Sequence, residues 1–122
     1  LIWSGIIKGE PASKANSRRP VPRKTKAGKT YVAFIKSAKA MSYTDAARLQ
    51  VPVLPRLLRG PLKFTATIYY ASRRPDLDES VILDVLQKRI YQNDRQVEEK
   101  DVKRRLDKQN PRAEIRVEEL SP

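Results

Sequence analysis

The 122-residue chain contains no cysteine and no histidine. Those two absences exclude a disulfide scaffold, a thiolate nucleophile, Cys/His zinc sites, Ser–His–Asp triads and Cys–His dyads. Any catalysis must come from carboxylates, Lys, Arg, Tyr, Ser or a bound cofactor. Long apolar runs are also missing, and nothing approaches the ~20 residues that span a bilayer. The apolar start, Leu1 to Ile7, lacks a small-residue cleavage site and is read as a strand, not a signal peptide. There is no P-loop, dinucleotide fingerprint or helix-turn-helix signal. That argues against a nucleotide cofactor and against sequence reading by a recognition helix.

Acid is scarce in the front of the chain. Residues 1–74 hold 16 Lys/Arg against only Glu10 and Asp45, while residues 75–122 hold 10 Lys/Arg against 12 Asp/Glu. The overall charge of +12 is therefore carried by the first part. A basic front half implies a polyanionic partner, most simply nucleic acid. A membrane surface suits it less well, because no long basic amphipathic helix is visible. The length fits one domain, 1–122.

Along the chain, 1–7 and 30–35 read as strands. Between them, residues 8–29 hold three prolines, two glycines and eight Lys/Arg without periodicity, and read as a flexible basic loop. Lys14, Asn16, Arg18, Arg19, Arg23 and Lys24 are its candidate phosphate contacts; a solvated surface loop is the alternative. Residues 37–50 suit a helix with Ser37 as N-cap. "LKFTATIYY", 62–70, alternates over nine residues and is the clearest strand. A helix is predicted over 79–90, with Ile82, Val85, Leu86 and Arg89 in helical register. Residues 97–107 and 112–119 then read as a hairpin around "KQNP". The expected architecture is a small α/β (α+β) domain, a mixed sheet with two main helices in the order β-β-α-β-α-β-β. Trp3, Phe34, Phe64, Tyr69 and Tyr70 are expected in the core or a dimer surface; Tyr31, Tyr43 and Tyr91 are unassigned.

"SRRPDLDESV", 72–81, sets Asp76, Asp78 and Glu79 directly after Arg73 and Arg74. In an extended segment Asp76 and Asp78 point to one side, with Cα atoms about 6.5–7 Å apart. Two such carboxylates can converge on one ion, and Asp94, in "QND" after the helix, is the third candidate. Such a cluster needs a hard divalent cation at neutral pH, or one acid takes up a proton. Magnesium suits oxygen ligands and bridges to phosphate. The same acids also suit a helix cap, and Asp94 suits a turn. Spacing leaves both readings open.

"RRPDLDESVILDVLQ…YQNDRQVEEK" resembles the RusA family of Holliday junction resolvases of bacteria and prophages. The matching pieces are the Arg-flanked "DLD" at a strand end, the helix beginning there and "NDRQV" after it; "GEPASKANSRRP" resembles the family's basic N-terminal segment. The resemblance implies a homodimeric endodeoxyribonuclease that cuts four-way DNA junctions symmetrically, working in recombination and repair in the cytoplasm of a bacterial or phage-infected cell. It implies magnesium or manganese held by Asp76, Asp78 and Asp94, with Glu79 as a candidate further ligand. Arg73 and Arg74 join the DNA contacts. Three departures stand out. Glu79 occupies the usual Asn position, Ile82 stands where many members carry a lysine, and the stretch before Asp94 is about one helical turn shorter. Lys88, ~15 Å of helical rise from Asp78, is a poor substitute for that lysine. Lys14, Arg73, Arg74 or Lys100 are the alternatives. A non-catalytic basic nucleic-acid-binding protein, and a nuclease preferring flaps or forks, remain competing readings.

Overall fold

Alternation in Leu62–Tyr70 builds the strand around which the molecule is organised. Every second residue from Leu62 to Tyr70 is buried and those between are half-buried. The computed structural model describes residues 1–12, 18–36 and 38–120. Its elements are β1 (Ile2–Lys8), β2 (Arg18–Lys24), β3 (Thr30–Lys36), α1 (Ala38–Gln50), β4 (Leu62–Tyr70), α2 (Ser80–Leu86), β5 (Val97–Leu106) and β6 (Arg112–Glu119). The chain is thus a small mixed α+β domain. A four-stranded sheet runs in the order β1-β6-β4-β5, and β2 and β3 form a separate two-stranded sheet.

Three local expectations change. Residues 8–29 are not loop throughout, because Arg18–Lys24 is a strand paired antiparallel with β3, Arg18 opposite Lys36 and Lys24 opposite Thr30. Pro20 and Pro22 hid it. Prolines two apart lack N–H on the same edge of a strand, and a two-stranded sheet leaves one edge of each strand unpaired, so both fit without costing a ladder bond. The connecting turn closes with Gly28 N–H to the Thr25 carbonyl at 3.0 Å, and Gly28 takes φ +82°, open to glycine without strain. The helix predicted over 79–90 stops at Leu86. Gln87 is extended and Lys88 has φ +63°. Ile90 and Tyr91 still reach the core, fully buried, from the turn beyond. Apolar spacing therefore marked residues bound for the core but not the end of the helix.

The third change is topological. β5 and β6 do not form a hairpin: β4 lies between them, parallel to β5 and antiparallel to β6. The link from β5 crosses the end of β4, where Asp107 N–H donates to the Tyr70 carbonyl at 2.9 Å. Asp107 then accepts from Arg112 Nη1 at 2.8 Å and from the Gln109 and Asn110 amides. These bonds, Arg112 first, hold its carboxyl below the usual carboxylate range. Ser37 lies outside the described residues, and α1 begins at Ala38.

Phe64, Ala66, Ile68 and Tyr70 of β4 meet Ile82, Val85 and Leu86 of α2, Tyr43 and Ala47 of α1, and Ile115 and Val117 of β6 in one buried cluster. Full burial of each large apolar side chain contributes about 1.5–3 kcal/mol. Trp3 packs against this cluster and lies across Gly5, where a Cβ would stand 2.5 Å from the indole Cζ2.

Two tests follow from this packing. Gly5→Ala must push the indole aside, at an expected cost of about 1–3 kcal/mol, the range for overpacking. Urea unfolding measures the loss, and Trp3 fluorescence, the single tryptophan of the chain, reports the displacement. For Asp107 the folded carboxyl binds its proton less tightly than the unfolded one. Its contribution is therefore present above the unfolded pKa and disappears as pH falls through the lowered folded value. Asp107→Asn is expected to lower the melting temperature at pH 7 and to lose that effect progressively in acid.

Candidate active site

β4 delivers the chain to the "DLD" segment and then holds it there. The Tyr70 ring is 1% exposed, and its hydroxyl emerges from the core at the segment itself. That hydroxyl donates to the Asp76 carbonyl at 3.0 Å and accepts from the Asp78 amide at 3.2 Å. Burial raises the phenol's pKa, so it stays neutral and keeps its proton to donate. Asp78 is fixed a second time: its Oδ1 accepts from the Ser80 amide at 2.9 Å and the Ser80 hydroxyl at 2.6 Å. Asp78 is thus tied to the first residue of α2, whereas Glu79, at the N-cap position, makes no side-chain cap bond. Asp76 is exposed and Asp78 half-buried.

Charged neighbours surround the pair. Glu79 is held by Lys100 Nζ of β5 at 3.1 Å, so an ammonium group already neutralises it. Arg104, also on β5, donates to the Pro75 carbonyl and lies 5.5 Å from the Tyr70 ring centroid. Arg73 and Arg74 are exposed just before the acids. Glu10 accepts from the Ala71 amide at 3.1 Å and adds to the negative potential at Tyr70. Sequence reasoning missed both Arg104 and Glu10. Glu10 had a signal, as the one acid among the first 44 residues. Arg104 had none, because its place depends on the parallel pairing of β5 with β4.

Asp94 takes a different position. It opens the short 3-10 turn Asp94–Gln96, capped reciprocally by Asn93 and Gln96. Its amide donates to Gln87 Oε1 at 3.2 Å. Its carboxylate lies near Tyr91, whose hydroxyl donates to the Leu83 carbonyl at 2.6 Å and whose pKa is raised, first by burial and then by Asp94 and Asp84. Asp78 stands at the entry to α2, and Asp94 beside the first residue past its end. Asp76 and Asp78 thus share the segment held by Tyr70, and Asp94 heads the turn that follows α2 and faces Tyr91, whose hydroxyl reaches Leu83 inside that helix. Among the described residues no group of three or more acids converges as a metal site.

The donor chemistry still suits a hard divalent cation at Asp76 and Asp78. Magnesium binds through oxygen, commonly through one or two carboxylates, and keeps waters that substrate phosphates join. Of the other expected contacts, Arg18 and Arg19 lie in β2, Arg23 and Lys24 are exposed at its end, and Lys14 and Asn16 fall outside the described residues. Lys88 sits in the turn after α2 and is exposed.

A pair of acids at a strand end, ringed by Arg and Lys on a small mixed α+β domain, is an arrangement suited to proteins that act on phosphodiesters. The chain belongs to the RusA endodeoxyribonuclease family, whose family model matches residues 9–118. Membership makes it an endodeoxyribonuclease of the kind that resolves Holliday junctions. No curated protein matches the chain. Among the described residues no helix is long and apolar enough to cross a membrane.

Tyr70→Phe keeps the buried ring and deletes only the hydroxyl. It is expected to cost about 1–3 kcal/mol, since the Asp78 amide and Asp76 carbonyl lose their shared partner. Urea denaturation measures the cost, and faster hydrogen exchange at Asp78 localises it. Unchanged exchange there would show that the hydroxyl does not hold the segment.

Proposed function

We propose that this protein is a magnesium- or manganese-dependent, structure-selective endonuclease that resolves four-way DNA junctions in recombination and repair. The observation that carries the reading is the Asp76–Asp78 pair, pinned by Tyr70 and Ser80, in a chain whose family match spans nearly its whole length. Asp76 and Asp78 would hold the cation, and Asp94 is the third essential acid by its place in "NDRQV". Glu79 is a weaker ligand candidate than its position in sequence implied, since Lys100 already pairs with it.

A bound divalent ion supplies Lewis-acid chemistry, polarising a phosphoryl oxygen and lowering the pKa of water. The chain's own residues do the rest. Arg73 and Arg74 attract the DNA backbone to the acids. Arg104 and Tyr70 fix the backbone on both sides of Asp76, so the carboxylates need little reorganisation when substrate arrives. Lys100 offsets the charge of Glu79, and β2 with its exposed Arg23 and Lys24 extends the cationic surface toward more distant phosphates. A homodimer matches the substrate, because a junction offers two equivalent strands and a twofold axis supplies two equal sites. The site of action would be the cytoplasm of a bacterial or phage-infected cell.

The test uses a synthetic four-way junction with matched fork, flap and duplex controls at one salt concentration. Wild type is expected to nick the junction symmetrically in magnesium or manganese and not in EDTA. Asp76→Asn, Asp78→Asn and Asp94→Asn should each cut cleavage by about 10²-fold or more, the scale of several kcal/mol of transition-state stabilisation. Junction binding should persist in all three. Absence of cleavage by wild type in either metal would favour a purely DNA-binding protein, and preferential cutting of forks or flaps would reassign the substrate.

A further inference from the structure

The parallel strands β4 and β5 end side by side, Tyr70 paired with Leu106. Just beyond them lies a hollow of about 300 Å³ lined by Ser72, Arg73, Arg104, Arg105 and Leu106. Three of its five lining residues are arginines and none is an acid. A guanidinium stays charged at any physiological pH, so three around one hollow repel one another until an anion enters. The end of a parallel strand pair is also where open α/β sheets place their ligands.

Edge-strand protection explains part of this charge. β5 is an edge of the sheet, and charged side chains keep such edges from pairing with other chains. Protection alone does not sort the signs, however. Glu98, Glu99 and Asp101, with Lys100 among them, occupy the first half of β5, and Lys103, Arg104 and Arg105 the second, at the end that carries the hollow. Nor does it explain the fixed geometry. Arg104 is tied to the Pro75 carbonyl and the Tyr70 ring, and Arg105 Nη1 donates to the Arg104 carbonyl at 2.7 Å. Through Arg104, the hollow is linked to Pro75, the residue before Asp76.

We propose that this hollow is a seat for one backbone phosphodiester of the DNA, separate from the phosphate that is cut, with Arg73, Arg104 and Arg105 as its cationic lining and the Ser72 hydroxyl beside them. The inference rests on the reading of the protein as a DNA enzyme, and it names a contact absent from the basic N-terminal segment. Seating a phosphate here indexes the strand relative to Asp76 and Asp78, because Arg104 bridges the hollow and the acid-bearing segment.

The experiment measures binding of a fluorescently labelled four-way junction in EDTA across a sodium chloride series. Each phosphate neutralised contributes about −0.9 to the slope of log Kobs against log salt. Arg105→Gln and Arg73→Gln should each make the slope shallower by about 0.9, and the double variant by little more than either single one, because both lose the same phosphate. Arg105→Lys should restore the slope, separating charge from any structural damage. Arg48→Gln, on α1, is the remote comparison. Unchanged slopes for Arg105→Gln and Arg73→Gln, or a double variant that loses about twice as much as each single one, would overturn the shared seat. The readout needs no cleavage, so failure of the nuclease reading and failure of the phosphate seat are told apart.

Discussion

A phenol hydroxyl at the edge of the core decides where the acids stand. The Tyr70 ring is buried because β4 alternates, and its rigid length carries the oxygen out to the loop, where it accepts a hydrogen bond from the Asp78 amide and donates one to the Asp76 carbonyl. An arginine would be too flexible for this duty and an aspartate too short. Because the anchor is part of the hydrophobic core, the position of the carboxylates is tied to the packing of the whole domain. The Ser80 bonds to Asp78 and the Arg104 contact at Pro75 complete a segment held from three directions.

The same segment resolves a conflict of charge. Acids on a basic surface would repel the anion that the surface collects. Here cations stand close to the acids. Glu79 meets Lys100, Arg104 overhangs Tyr70 and Pro75, and Arg73 and Arg74 precede Asp76 in the chain. The Lys100 contact removes the charge of Glu79 from what a nearby polyanion meets. Lys100 and Arg104 come from β5 instead of α2, so the cations approach from the sheet and not from the helix.

Much of this was legible in the sequence, and the reasons can be named. β4 was read correctly because one of its faces is buried, so alternation survives in the residues themselves. α1 was read to within a residue of its described start because its span lacks Gly and Pro. The β2 strand was missed because Pro20, Pro22 and four cations look like loop, and only pairing with β3 makes the segment extended and ordered. The end of α2 was overrun because Ile90 and Tyr91 keep an apolar rhythm while lying in a turn. Pairing of β5 with β6 was the natural guess for neighbours in sequence. A short link that crosses the end of β4 does the opposite, and composition carries no trace of that crossing.

Local sequence by itself determined the chemistry on offer: oxygen donors without imidazole or thiol, a cationic front half, and a family signature in "DLD" and "NDRQV". Those are properties of residue identity and near spacing, which the chain carries in any conformation. Tertiary structure alone decided which groups meet. Asp76 and Asp78 share an anchor, the Asp94 amide is held by the Gln87 side chain, and Arg104 and Lys100 arrive from a strand that runs parallel to β4 after a long crossover. Contacts between residues distant in sequence depend on strand order and on where a helix stops, and both are set by burying one shared core.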